Sequence, residues 1–141
     1  MFLSGTIYGF TPTTLTVSLS SSSTVVGASG ATLKATVTSA TMIPGTGTLL
    51  INFPLYYTNS GTQDQMISTT SPVCTGTDMT VLSCYFAPQS RLLTLNYKFN
   101  VGNDRYAAVD FSIQSFKNPI NPIPKTGFSL TILDTIGNQV A

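Results

Sequence analysis

The sequence predicts an all-β protein: an antiparallel immunoglobulin-like β-sandwich of about seven strands, with an extra strand segment at its N-terminal end. Three observations lead there. Apolar residues alternate with hydroxyl side chains in seven short runs, which is the period of a half-buried strand. Pro- and Gly-rich turns separate the runs. Nowhere do apolar residues recur at i, i+3, i+4 and i+7 over a helix length. The 141 residues suffice for one domain with a two-layer core, and no internal repeat divides them. An up-and-down barrel is the competing architecture.

The elements follow in order. Residues 1–12 form a separate apolar segment carrying Phe2, Leu3, Ile7, Tyr8 and Phe10. It is too short to span a membrane and lacks the basic start of a signal peptide. Residues 13–141 form the sandwich. Its first strand places Leu15, Val17 and Leu19 on one face, and its second places Leu33, Ala35 and Val37. Ile43-Pro44-Gly45-Thr46-Gly47 reads as a turn, with Pro presetting φ and Gly permitting positive φ. The third strand runs from Thr48 to Phe53 and stops at Pro54. The pattern then weakens into a polar excursion over residues 56–75, with Met66 and Ile67 isolated in it. Leu82, Cys84 and Phe86 are expected as the inward row of the fourth strand, and Leu93, Leu95, Tyr97 and Phe99 as that of the fifth. Val109, Phe111 and Ile113 mark the sixth, and Phe128, Leu130 and Ile132 the seventh. Residues 117–125 between them hold three prolines, which no sheet interior accepts. After Gly137-Asn138 the chain reads as starting a further strand at Gln139-Val140-Ala141, as if another unit continued it.

Composition restricts the function. Charged residues make up 8% of the chain, against about 25% in an ordinary domain. Ser and Thr account for 39 of 141 positions, and Glu, His and Trp are absent. High hydrophobicity with low charge is the reverse of a disorder signature. A net charge of +1 gives little solubility, so partner subunits or glycans are expected to cover this surface. The six cations are scattered, which argues against nucleic acid. Cys74 and Cys84 form an even pair that favours a disulfide and an oxidising compartment, the alternative being two buried thiols of a cytosolic protein. Two cysteines without His cannot complete a zinc site.

The chain also carries a set of specific turn and strand motifs. Leu15-Thr-Val-Ser-Leu-Ser20 is followed by Val26-Gly27-Ala28, then by the Ile43–Gly47 turn and Leu50-Ile51-Asn52-Phe53-Pro54. Cys74-Thr75-Gly76, Ser83-Cys84, Asn118-Pro119, Thr126-Gly127-Phe128-Ser129-Leu130 and Asp134-Thr-Ile-Gly137-Asn138 complete the set. Over residues 13–141 this pattern resembles the tandem Ig-like repeats of large Ser/Thr-rich surface proteins of ciliates and related protists. The resemblance implies an extracellular, non-enzymatic structural protein with a paired cysteine in each unit, and transfers no catalytic residue. The chain departs from the pattern by holding one unit and an extra apolar segment before it.

Candidate sites follow. Without His there is no ready base for a nucleophile. Asp64, Asp78, Asp104, Asp110 and Asp134 lack Asp-x-Asp spacing, and all but Asp110 sit where turns favour Asp. Neither an enzyme nor a cofactor or metal is expected. No Asn-x-Ser/Thr acceptor occurs, whereas Ser21, Ser22, Ser23, Thr69 and Thr70 lie in Ser/Thr-rich stretches suited to O-glycans. Outward strand positions favour Thr in any case. Phe2, Leu3, Ile7, Tyr8 and Phe10 are expected to form a donor strand that adds to an identical neighbouring subunit. Head-to-tail addition gives an open filament on an extracellular or cell surface. The alternative within the chain is that this segment folds back as the first strand of its own sandwich. The alternative function is an adhesive module that binds glycan or protein through Tyr56-Tyr57 and residues 103–106.

Overall fold

The computed structural model describes residues 4–8, 15–25, 27–54, 56–57, 63–101, 108–118 and 128–140. Among these residues the regular structure is all strand. In chain order the strands are β1 (Ser4–Tyr8), β2 (Leu15–Ser21), β3 (Ala31–Ser39), β4 (Thr46–Asn52), β5 (Tyr56–Tyr57), β6 (Gln63–Asp64), β7 (Cys74–Gly76), β8 (Met79–Ala87), β9 (Leu92–Phe99), β10 (Val109–Phe116) and β11 (Ser129–Leu133). One sheet has the order β1-β2-β3-β10-β7 and the other β11-β4-β9-β8, all pairs antiparallel. A two-stranded ribbon, β5-β6, lies outside both. The molecule is an antiparallel β-sandwich, the two-sheet architecture that immunoglobulin-like domains also use.

Alternation decides which residues face inward. Leu33, Ala35 and Val37 of β3 oppose Ile113, Phe111 and Val109 of β10, and all six are buried. Across the core, Leu49 and Ile51 of β4 stand opposite Leu95 and Leu93 of β9, again buried. Leu130 and Ile132 of β11 complete that layer. Just past the end of β4, Phe53 meets Phe86 and Phe128 edge to face, with ring centroids 5.8 and 5.4 Å apart. That geometry sets ring edges against π faces and adds to the burial of three aromatic side chains.

Two irregularities change the sequence reading. The β8–β9 register shifts between Val81 and Ser83, where a β-bulge inserts one extra residue. Leu82 occupies it and is 59% exposed, so the expected inward row is corrected to Met79, Val81, Cys84 and Phe86. In β10 the register slips between Ile113 and Phe116, with Ser115 at φ 61°. The Ser115 carbonyl then accepts Ser68 N–H at 3.0 Å, and Ile67 bridges to Phe116. This docks Met66 and Ile67 into the core although their segment has no strand period.

Gly47 lies inside β4, beyond the turn expected for it. A Cβ there would collide with the Leu133 carbonyl and crowd Tyr97 Oη, which donates to the Pro44 carbonyl at 2.8 Å. Close backbone approach is the reason for glycine at this position. At the far end of the sandwich Asn118, fully buried, closes the 22–28 connection. Its Nδ2 donates to the carbonyls of Ser23 (3.0 Å) and Val25 (2.6 Å), and its Oδ1 accepts from Ser21 Oγ (2.7 Å). Its own N–H donates to the Ala28 carbonyl at 2.8 Å.

Cys74 of β7 and Cys84 of β8 form the disulfide, with Cα atoms 6.2 Å apart, and join the edges of the two sheets. Reduction, or a Cys74→Ser/Cys84→Ser double variant, is expected to lower unfolding free energy by about 2–3 kcal/mol for so short a loop. Urea titrations with and without reductant read this directly. Asn118→Ala strands two carbonyls inside the fold and is expected to cost about 2–4 kcal/mol in the same assay. Gly47→Ala is expected to cost about 1–3 kcal/mol by overpacking.

Candidate functional site

A sandwich of two open sheets has unpaired backbone groups along its edge strands, and these are the first candidate sites. Most edges here are occupied. On β11, Val140 N–H donates to the Ile132 carbonyl at 2.9 Å and Gln139 bridges to Leu133, so the chain does turn back after Gly137 as a strand-like segment. On β8, Phe86 N–H donates to the Thr70 carbonyl at 2.9 Å, and the bulge at Leu82 interrupts the rest. The free side of β7 meets β8 through the disulfide. The remaining edge strand is β1, whose inner side pairs with β2 from Ser4↔Ser20 through Tyr8↔Thr16 in continuous register. Among the described residues β1 pairs with β2 and with no other strand.

The expected donor residues divide accordingly. Ile7 and Tyr8 belong to β1, opposite Val17 and Thr16, while Phe2, Leu3 and Phe10 lie outside the described residues. In the single chain this segment therefore completes its own sheet. Of the proposed adhesive loops, Tyr56-Tyr57 forms β5, one strand of the β5-β6 ribbon, and residues 103–106 lie outside the described residues.

The two outward faces of the sandwich differ. On the first sheet the outward residues are Ser18, Ser20, Lys34, Thr36, Thr38, Asp110 and Gln114, polar throughout and exposed. Asp110 accepts a 2.6 Å hydrogen bond from Thr36 Oγ1 across the β3–β10 pair. This is the clean alternation of a sheet with one solvated side. The second sheet breaks the pattern. Its outward positions include Leu50, Leu92 and Leu133, half-buried, and Tyr85, 53% exposed, with Leu82 thrust out beside them. Among these apolar groups runs one polar row across three strands. Thr48 stands opposite Asn96, and Asn96 opposite Ser83. Thr48 Oγ1 donates to Asn96 Oδ1 at 2.6 Å, and Asn96 Nδ2 donates to Ser83 Oγ at 2.7 Å. Thr48 and Asn96 of the row, with Thr46, Gly47, Leu82 and Thr135, line a shallow groove of about 220 Å³.

The O-glycan candidates also separate. Ser21 Oγ is committed to Asn118, Ser22 Oγ accepts Thr32 N–H, and Ser23 Oγ accepts Val25 N–H. Thr69 Oγ1 accepts Ser71 N–H, whereas the Thr70 hydroxyl makes no hydrogen bond among the described residues. Ser68, Thr69, Thr70 and Ser71 are all exposed. Asp104 lies outside the described residues, and the other aspartates sit in separate elements or turns. Asp78 sits in the β7–β8 turn at φ 56°, and Asp134 Oδ1 caps the N–H groups of Ile136 and Asn138. No three metal-type side chains gather among the described residues, and no helix there is long and apolar enough to cross a membrane.

Periodicity could not have found the Thr48–Asn96–Ser83 row. Its members are remote in the chain and align only once both registers are set and the Leu82 bulge is passed. No protein-family model, no curated protein and no solved structure matches this chain.

If the protein carries O-glycans, site mapping by electron-transfer mass spectrometry is expected to place them on Thr70 and neighbouring exposed hydroxyls. Ser21 is expected to stay bare, because modification there would break its bond to the buried Asn118.

Proposed function

We propose that this chain is the structural protomer of an extracellular or cell-surface filament, assembled head to tail by exchange of the N-terminal strand, with no catalytic role and no cofactor. The observation that carries the reading is the attachment of β1. It extends the sheet beyond β2, and among the described residues its one backbone ladder is with β2. An edge strand joined to its domain on one side can leave its own β2 and occupy the β2 of a neighbour through the same backbone hydrogen bonds. Exchange of an identical element is a low-cost route between subunits, and a head-to-tail exchange that does not close yields a filament.

Energetics set the condition. Burying about four large side chains of the segment gains roughly 6–12 kcal/mol. Ordering ten backbone residues costs roughly 10–20 kcal/mol. The ladder bonds return in either state, so a contact between subunit faces must supply the difference. Low charge suits such a contact, since a net charge of +1 offers little repulsion between copies. The disulfide fits an oxidising compartment outside the cell. Homopolymer neighbours are the partners of this reading, with O-glycans on the surfaces left open. A second reading, an adhesive module, draws on the apolar and polar mixture on the outward face of β4, β9 and β8.

Light scattering after size exclusion, together with negative-stain imaging, tests the filament. The full chain is expected to form concentration-dependent assemblies. Deletion of residues 1–10 is expected to abolish them, and a synthetic peptide of those residues to bind the truncated chain. Monomers from both chains at all concentrations would sink the proposal.

A further inference from the structure

We infer that the outward face of the second sheet is a binding site for neutral saccharide, with Asn96 as its central recognition group. This assignment stands independently of strand exchange, which uses the opposite sheet's edge. Four features of the groove support it.

The first is an oriented amide. Asn96 is held from both sides, receiving a bond from Thr48 and giving one to Ser83. A primary amide has two N–H donors and two acceptor lone pairs, so among the described residues one of each remains uncommitted. A donor and an acceptor on one rigid planar group match two adjacent ring hydroxyls, each of which both donates and accepts. Among the described residues the Thr48 lone pairs in the groove, and the Ser83 O–H outside its lining, take no further bond and extend the match.

The second feature is the flank. Leu82 is pushed out of the β8 ladder by the bulge and forms a wall of the groove. An exposed leucine beside a polar row suits the C–H face of a pyranose, which is apolar while its rim is polar. Bulges re-aim side chains at functional places. The third is size. About 220 Å³ falls below the roughly 300–1,000 Å³ of sites for drug-sized ligands and accommodates a single ring.

The fourth is continuity. Tyr85 lies on the same outward face two residues beyond Ser83, opposite Thr94, and is half exposed. Two residues along a strand is roughly 7 Å, so its ring lies where a second sugar of an oligosaccharide would follow the first. Tyrosine presents an apolar ring with a polar tip, and this suits stacking against such a ring. The groove-lining side chains Thr46, Thr48, Leu82, Asn96 and Thr135 are uncharged, which favours neutral over acidic sugars.

Calorimetric titration of the full chain with methyl glycosides and linear trisaccharides of glucose, mannose and galactose tests the site. At least one series is expected to bind with a Kd of about 1 mM or tighter. Asn96→Ala and Asn96→Asp are expected to weaken it at least tenfold with an unchanged circular dichroism spectrum. Tyr85→Ala is expected to weaken the trisaccharide while leaving the methyl glycoside unaffected. Ser112→Ala, on the other sheet, is expected to change neither. No heat from any probe up to about 10 mM, or binding that survives Asn96→Ala, overturns the assignment.

Discussion

Two open sheets packed face to face leave rows of unpaired backbone donors and acceptors at their edges, and this molecule is arranged around that constraint. Three of the four edge strands are dealt with in different ways. A covalent bond joins β7 to β8, a bulge and the Thr70 carbonyl blunt β8, and the Gln139-Val140 segment covers β11. The fourth edge strand is β1, which among the described residues has β2 as its one sheet partner. The inner layers need no comparable device, because Val, Leu, Ile and Phe at alternate positions fill the space between sheets.

The absence of charge shapes the rest. With few ionic groups, the outward face of the first sheet relies on hydroxyls, and cross-strand pairs such as Thr36 and Asp110 satisfy one another. The second sheet combines leucines and a tyrosine with an ordered amide–hydroxyl row. The same composition thus makes one face bland and the other selective, and β4 and β9, the central strands of the second sheet, build both the core and that face.

How much was legible follows from where the signal is periodic. In β3 and β9, and in β10 as far as Ile113, inward alternate residues are apolar, so Leu33, Leu95 and Phe111 declare their side of the sheet from the sequence alone. At Leu82 the alternation continues on paper while the backbone inserts a residue, and the phase is lost. Cys74-Thr75-Gly76 is too short to show a period, and its strand exists because β10 offers a ladder to pair with. Met66 and Ile67 looked stray because irregular backbone carries them inward. Gly47 resembles any turn glycine until the Leu133 carbonyl is seen beside it. Asn118 reads as part of an Asn-Pro turn, and its clamp on Ser21, Ser23 and Val25 spans more than ninety residues of sequence. Sites built across strands stay hidden until register is set, which is why the candidate site was less legible than the fold.

The disulfide has one further consequence, in the response of the chain to pulling. Cys74 and Cys84 are ten residues apart in sequence but hold their Cα atoms at 6.2 Å. Ten residues fully stretched span roughly 33–36 Å, so the bond withholds about 27–30 Å of contour length from a chain under load. Tension entering through the two ends of the molecule can peel β1 or β11, yet it cannot draw the β7–β8 turn apart. The sandwich thus contains a stop: extension is limited in the oxidised chain and restored by reduction.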